Sequence, residues 1–115
     1  MFNFTSGRIF LRVGKTDMRK SINGLSAMAA DELEQNPLSG DLFLFSNRRN
    51  LLKILYWDKN GFCLWQKRLE KHRFPWPKNT NDKIALEITS KELEWLLKGI
   101  DFFNAHETLF FSQVN

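Results

Sequence analysis

The chain has 115 residues and a mass of 13.6 kDa, enough for one compact domain and too little for two domains with separate cores. Its composition, 43% hydrophobic and 26% charged, is typical of a globular protein and argues against a disordered or fibrous one. Lysines and arginines number 17 against 13 acids, and this formal net charge of +4 suits an anionic partner without requiring one.

The first two predicted elements are a strand and a helix. In residues 8–13, RIFLRV, the apolar Ile9, Leu11 and Val13 alternate with Arg8, Phe10 and Arg12, the period-2 pattern of a strand with one buried face. Apolar residues then recur at three- to four-residue spacing after Asp17, which predicts a helix over 18–34 with Asp17 as its cap. Turn-forming residues at 36–41, NPLSGD, end it.

Three short runs rich in aromatic and branched residues follow, at 42–46, 51–57 and 62–69. Four-residue turns separate them, which indicates a β-meander. The second turn, DKNG at 58–61, predicts a type I turn with Gly61 as the left-handed residue of a bulge, and therefore a hairpin.

The last elements are a short strand at 83–88 and a second helix. Thr89 and Glu92 have the spacing of a capping box, and an apolar-periodic helix follows that stops near Gly99. The predicted fold is α+β, an antiparallel meander of four to five strands with two helices in the order β-α-β-β-β-(β)-α. We expect one domain over residues 1–101 and a Phe-rich tail over 102–115.

Charge is segregated along this chain. Residues 42–83 hold ten bases and three acids, whereas residues 84–115 hold two bases and five acids. Residues 1–20 are also basic, with five bases and one acid. Such segregation is typical of a nucleic-acid footprint.

The predicted helix start adds to this signal. Arg19 and Lys20 fall in its first turn, where the helix dipole disfavours cations and where free amides with two cations make an anion site. The alternative is that these side chains point into water or pair with Asp17.

The meander carries the densest signal. In an antiparallel meander the turn at 47–50 and the exit of the 62–69 strand lie at the same end, which predicts one basic rim. Trp76 lies between Pro75 and Pro77, which restrict the backbone and so lower the entropy lost when the indole is held outward against a partner; the alternative is that Trp76 belongs to the core. Trp57 and Trp65 either add flat surface or belong to the core. The predicted nucleic-acid-binding residues are Arg19, Lys20, Arg48, Arg49, Lys53, Lys67, Arg68, Lys71, Arg73 and Trp76, with Arg8 and Arg12 as an extension.

Signatures of catalysis are missing from the sequence. One cysteine, Cys63, and two histidines cannot supply a structural zinc site, and no nucleotide-binding glycine motif or catalytic triad context occurs. No window approaches the roughly 18 apolar residues of a membrane span, and the start lacks a secretion signal. We expect a cytoplasmic protein that is not an enzyme, uses no cofactor and has no membrane partner.

Four stretches resemble a known family. They are DMRKSINGL at 17–25, PLSGDLFLFSNRR at 37–49, KILYWDKNGFCLWQKRLEKHRFPWP at 53–77 and ELEWLLKGID at 92–101. In this order they are similar to the TnpB-type accessory proteins encoded by the second open reading frame of the insertion sequence sixty-six family of bacterial mobile elements. The resemblance implies a small protein that assists transposition beside a separate transposase, with no established catalytic residues of its own.

Two hypotheses follow for what the surface touches. In the first, the basic residues bind DNA through its backbone, with strong salt dependence and little sequence preference. In the second, the protein is an adaptor that docks on the transposase through aromatic residues and contacts no nucleic acid. The residues proposed for that docking are Trp76, Phe102, Phe103, Phe110 and Phe111.

Overall fold

The computed structural model describes residues 7–78 and 83–103. Its elements are β1 (Ile9–Arg12), α1 (Ile22–Asp31), β2 (Leu42–Ser46), β3 (Leu51–Asp58), β4 (Gly61–Arg68), β5 (Ala85–Ile88) and α2 (Ser90–Leu97). The strands form one sheet in the order β4-β3-β2-β1-β5. The predicted α+β class and the order of the elements are confirmed. Neither helix within the described ranges has the length and apolarity needed to cross a membrane.

The sheet is mixed rather than wholly antiparallel. Strands β2, β3 and β4 form the predicted antiparallel meander, and β5 runs antiparallel to β1. Strand β1, however, is parallel to β2, with Ile9 opposite Leu42. Parallel neighbours need a crossover connection, and α1 provides it between these two strands. The carboxyl ends of β1 and β2 therefore lie at the same end of the sheet.

The two helices cover opposite faces of the sheet. Successive strand residues point to opposite faces, so Phe10, Phe43 and Phe45 pack with Leu25 and Met28 of α1. The residues between them in sequence face the other layer, which combines α2 with the FPWP segment. That second core contains Ile9, Leu11, Leu44, Ile54, Phe74, Trp76, Leu93 and Leu96. Burying both faces explains why β2 is buried along its whole length.

Trp57 and Trp65 are both half-buried, and each lies on a different face. Trp65 packs against the core beneath α2. Trp57 meets Phe62 edge-on at a centroid distance of 5.1 Å, beside the β3–β4 turn. Neither tryptophan is a fully buried core residue.

Helix α1 begins four residues later than predicted. Its N-cap is Ser21, which has extended backbone angles and makes no capping hydrogen bond with its side chain. Residues 17–20 form a separate turn, in which the Lys20 amide donates to the Asp17 carbonyl at 3.2 Å. The prediction that Asp17 caps this helix is therefore wrong.

The β3–β4 hairpin is confirmed, but its turn differs from the predicted type. Asp58 pairs directly with Gly61, so the loop has two residues. Lys59 carries the positive φ, 56°, and Gly61 is an ordinary strand residue. Two-residue hairpin loops place positive φ at their central positions because that twist matches the flanking strands.

Helix α2 has both predicted ends. The Thr89 side chain accepts from the Glu92 amide, and the Glu92 carboxylate accepts from the Thr89 amide. At the other end Gly99 has a φ of 80°, and its amide donates to the Leu96 carbonyl at 3.0 Å. Glycine adopts this left-handed conformation without steric strain.

The described chain continues past α2 onto the core. Phe102 is buried, and its ring packs against that of Phe103 with a centroid distance of 4.0 Å and an angle of 32° between the ring planes. The predicted boundary after residue 101 stays a prediction, and most of the predicted tail, residues 104–115, lies outside the described residues.

We expect Thr89→Ala to lower the free energy of unfolding by about 1 kcal/mol, because the first turn of α2 loses its cap. Urea unfolding followed by circular dichroism measures this change. Ser90→Ala is the matched control, since Ser90 is exposed and makes no side-chain hydrogen bond among the described residues. Equal losses in the two variants would contradict a specific role for the capping box.

Candidate nucleic-acid interface

One end of the sheet gathers five chain segments. The carboxyl ends of β1, β2 and β4 meet there with the starts of β3 and β5, as the pairing directions require. Backbone hydrogen bonds join the segments that leave these strands. The Thr16 amide donates to the Ser46 carbonyl at 2.8 Å, and the Val13 amide donates to the Ile84 carbonyl at 2.7 Å.

The loop between β2 and β3 is joined in the same way to the exit of β4. The Leu69 amide donates to the Asn50 carbonyl, and the Phe74 amide donates to the Arg49 carbonyl, each at 2.7 Å. The predicted convergence of the turn at 47–50 with this exit is therefore observed.

Most of the cations of the chain lie on these connections or at the strand end beside them. We call this surface the basic end. Its cations are Lys15, Arg19, Lys20, Arg48, Arg49, Arg68, Lys71, Arg73, Lys78 and Lys83. All of them are exposed except Arg48, which is half-buried. The described connections that carry them hold two carboxylates, Asp17 and Glu70.

Two of these cations pair with a carboxylate close in sequence. Arg19 lies 2.8 Å from Asp17, as in the alternative considered from the sequence, and Arg68 lies 2.9 Å from Glu70. Both pairs are exposed, and exposed pairs contribute little to stability because water and salt screen them. Across the described chain, the side chains of Arg49, Lys71 and Arg73 form no ion pair.

Arg19 changes the titration of its partner. Hydrogen bonds from the Arg19 side chain and amide lower the pKa of Asp17 well below its ordinary value, and the nearby charge of Lys20 adds to this effect. A carboxylate that accepts several hydrogen bonds is stabilised in its ionised form. Asp17 therefore offsets part of the local positive charge throughout the neutral pH range.

Lys53 is an interior residue. Its side chain lies on the α1 face of β3, and the residue is 7% exposed. The ammonium donates to the carbonyls of Met18 at 2.9 Å and Lys20 at 2.8 Å. A helix beginning at residue 18 would use those carbonyls for its own amides, which accounts for the later start of α1. Lys53 thus holds the segment that presents Arg19, and the prediction that it lies on the binding surface is corrected.

Trp76 is also interior, with 8% of its surface exposed. Its indole N–H donates to the carbonyls of Arg12 at 2.9 Å and Gly14 at 3.0 Å. The expectation of an indole held outward between prolines is corrected by this burial. A buried indole N–H needs a partner, and these carbonyls tie the FPWP segment to the end of β1. Trp76 therefore supports the basic end from beneath.

Lys67 contacts α2 and not the basic end. Its half-buried ammonium donates to the Leu97 carbonyl at 2.9 Å, in the last turn of α2. A cation there satisfies a carbonyl left without a helical partner and complements the helix dipole. We therefore leave Lys67 out of the basic end.

The two arginines named as an extension are both paired. Arg12 lies 2.9 Å from Glu32 and also donates to the Lys15 carbonyl, so it supports the loop after β1. Arg8 lies 2.6 Å from Glu87, and its position before β1 puts it toward the opposite end of the sheet. The Arg8 guanidinium lowers the pKa of Glu87 through this hydrogen bond.

Three cations of the basic end were missed from the sequence. Lys15, Lys78 and Lys83 come from separate segments that meet only because β5 pairs with β1 and Gly14 bonds to Pro77. Their signal in the sequence is their place beside strand ends, and using it requires the order of strands in the sheet.

The described residues offer an array of cations. Within residues 7–78 and 83–103 no cluster of three or more His, Cys, Asp or Glu side chains could hold a metal ion. The chemistry that the basic end itself supports is binding of a polyanion, through charge and through hydrogen bonds from guanidinium and ammonium groups.

Comparison with known proteins decides the family. The family model described as "IS66 Orf2 like protein" matches residues 7–107, a range that includes the whole described fold. The chain belongs to this family. The resemblance drawn from the sequence is confirmed, and as an IS66 Orf2-like protein the chain is an accessory protein of an insertion sequence.

Two relatives from Sinorhizobium fredii (strain NBRC 101917 / NGR234) share most of their length with this IS66 Orf2-like protein. Uncharacterized protein y4hO is 40% identical over 102 residues, covering 88% of this chain and 87% of its own. Uncharacterized protein y4jC is 33% identical over 96 residues, covering 83% and 80%. No solved structure matches the chain.

We expect Lys53→Met to lower the free energy of unfolding by about 1–3 kcal/mol, because two carbonyls in the interior lose their donor. Methionine keeps a similar length and volume, so the change isolates the ammonium. Chemical denaturation measures the effect. Lys71→Met is the matched control, since Lys71 is exposed and should change stability by less than about 0.5 kcal/mol. If the Lys53→Met protein is as stable as this control, the hydrogen bonds of the ammonium to the two carbonyls do not contribute to stability.

We expect Arg19→Ala to raise the pKa of Asp17 toward about 3.9, the value of an unperturbed aspartate. The ion pair with Arg19 lowers the pKa of Asp17 in the folded state. The pair therefore stabilises the fold at a pH above the unfolded-state pKa of Asp17, and this stabilisation is lost as the pH falls through the folded-state pKa. An NMR titration of the Asp17 carboxyl carbon measures the shift. Arg68→Ala is the control, because Arg68 pairs with Glu70 and should leave Asp17 unchanged. An identical Asp17 titration in wild type and Arg19→Ala would contradict the pairing.

Proposed function

We propose that this IS66 Orf2-like protein is a non-catalytic factor that assists a separate transposase by binding DNA through the basic end. Membership of the family supports the role in an insertion sequence. The DNA contact and the cooperation with a transposase are our inference from the family and from the surface.

The observation that carries the proposal is the gathering of cations from five segments. Neighbouring strands lie roughly 4.8 Å apart, so the five strands spread these cations over about 19 Å along this end of the sheet. A DNA strand carries one phosphate per roughly 3.4 Å of helix axis. A platform of this width is matched to about five or six consecutive phosphates of one strand.

The same arrangement supports contact with the DNA backbone rather than with base edges. Readout in the major groove requires an element, most often a helix, that carries polar or basic residues into it. Helix α1 contains no lysine or arginine, and α2 contains only Lys91. The cations lie on connections instead, and their contacts to phosphates would position the protein without selecting a sequence.

The adaptor hypothesis has less support from the described residues. Two of its aromatic anchors, Trp76 and Phe102, are buried in the core beneath α2, and Phe103 packs partly against that core. Phe110 and Phe111 lie outside the described residues. Contact with the transposase remains part of the proposal, on the strength of the family alone.

We expect the triple variant Arg49→Ala, Lys71→Ala, Arg73→Ala to bind duplex DNA at least about tenfold more weakly in low salt. It should also show a salt dependence that is shallower by up to about 2.7 in the log–log slope, roughly 0.9 per lost phosphate contact. Fluorescence anisotropy at salt concentrations from about 50 to 200 mM measures both the affinity and its salt dependence. The three side chains are exposed, so thermal stability should be unchanged.

The matched control removes the same charge elsewhere. Lys59→Ala, Lys91→Ala, Lys98→Ala deletes three exposed cations, one from the β3–β4 turn, one from α2 and one from the C-cap of α2. If binding depends on the basic end, this control keeps most of the affinity and most of the salt slope. Equal weakening by both triples would mean that only net charge matters. The same variants in a transposition assay with the cognate transposase connect DNA binding to the biological role.

A further inference from the structure

The aromatic rings at the basic end face the interior. Phe74 is 2% exposed and Trp76 is 8% exposed, and both belong to the core beneath α2. The indole N–H of Trp76 is bonded to two carbonyls, so turning this ring outward would leave both without that donor. His72 is the one exposed ring on the described connections of the basic end.

Two half-exposed aromatic residues of the meander, Trp57 and Phe62, lie far from these cations. The half-buried Trp65, three residues before Arg68, packs against the core beneath α2. Trp57 and Phe62 flank the β3–β4 turn, whereas Arg49 and Arg68 lie at the other end of the same two strands. Six residues separate Leu51 from Trp57, which at about 3.4 Å per residue is roughly 20 Å. A base stacked on Trp57 would therefore lie well away from the basic end.

This separation bears on the kind of nucleic acid that the surface fits. Proteins that bind single strands combine a basic groove with aromatic rings on which successive bases stack, and each stacked base contributes about 1–3 kcal/mol. The basic end has the cations without a row of exposed rings. Charge alone favours the duplex, which carries one phosphate per about 1.7 Å of axis against about 3.4 Å for one strand.

We infer that the basic end is a platform for duplex DNA and discriminates against single-stranded DNA. This inference rests on the proposed function and goes further, because it names the form of DNA. Over about 19 Å a duplex presents roughly eleven phosphates on its two strands, whereas a single helical strand presents about half that number. The same cations thus find more partners on a duplex, and no stacking compensates on a single strand.

The experiment compares a 20-base-pair duplex with a thymidine 20-mer, which does not fold on itself, by fluorescence anisotropy with the full chain. The expected result is at least about fivefold tighter binding of the duplex at each salt concentration, with a steeper salt dependence. If the protein binds the thymidine 20-mer as tightly as the duplex, or more tightly, the inference is overturned and the proposed DNA binding remains intact. No binding of either probe in low salt would overturn the proposed function itself.

Two substitutions of His72 test the stacking argument separately from charge. His72→Trp adds a ring to the basic end, so it should raise affinity for the thymidine oligomer by roughly fivefold or more and leave the duplex affinity nearly unchanged. His72→Ala should leave the preference for duplex unchanged. A strong loss of single-strand binding in His72→Ala would show that stacking already operates in the native protein, which contradicts the inference.

Discussion

Ten cations at one end of a small sheet repel one another, and the connections that carry them are held by polar groups inside the protein. The Lys53 ammonium binds two carbonyls of the segment before α1, and the Trp76 indole binds two carbonyls at the end of β1. Each group is buried, so its hydrogen bonds are little weakened by competing water. Fixing the segments in advance reduces the conformational entropy that they would otherwise lose on meeting a ligand. Two interior side chains therefore shape a surface that neither of them reaches.

The parallel pairing of β1 with β2 is the second requirement. It places the carboxyl ends of both strands at one end, and the antiparallel strands on either side add the start of β3, the exit of β4 and the start of β5. In a wholly antiparallel sheet of the same strand order, β1 would run the other way and its basic connection, with Lys15, Arg19 and Lys20, would lie at the opposite end. The charges would then divide between two ends. The crossover through α1 thus decides whether one platform forms.

Local patterns were enough to predict much of this fold. The capping box at Thr89, the stop at Gly99 and the antiparallel meander depend on residues close in sequence, and each was predictable from spacing. The interior roles of Lys53 and Trp76 were not predictable in that way, because a lysine in a strand and a tryptophan between prolines are usually exposed on one side. Their partners lie more than 30 residues away and become neighbours only in the folded sheet. The start of α1 was misplaced for the same reason, since a distant ammonium occupies the carbonyls that an earlier start would use.

The two ends of the sheet differ in charge, and this difference favours one orientation of the molecule relative to a polyanion. At the opposite end Asp41 and Asp58 lie near Arg8 and Lys59, so the charges there nearly balance. A polyanion attracts the basic end and exerts little net electrostatic force on the opposite end. This asymmetry orients the protein during the diffusional encounter as well as in the final complex. A protein held on DNA by its basic end would turn the β3–β4 hairpin, with Trp57 and Phe62, away from the duplex. The half-exposed aromatic pair would then face solvent and not the DNA.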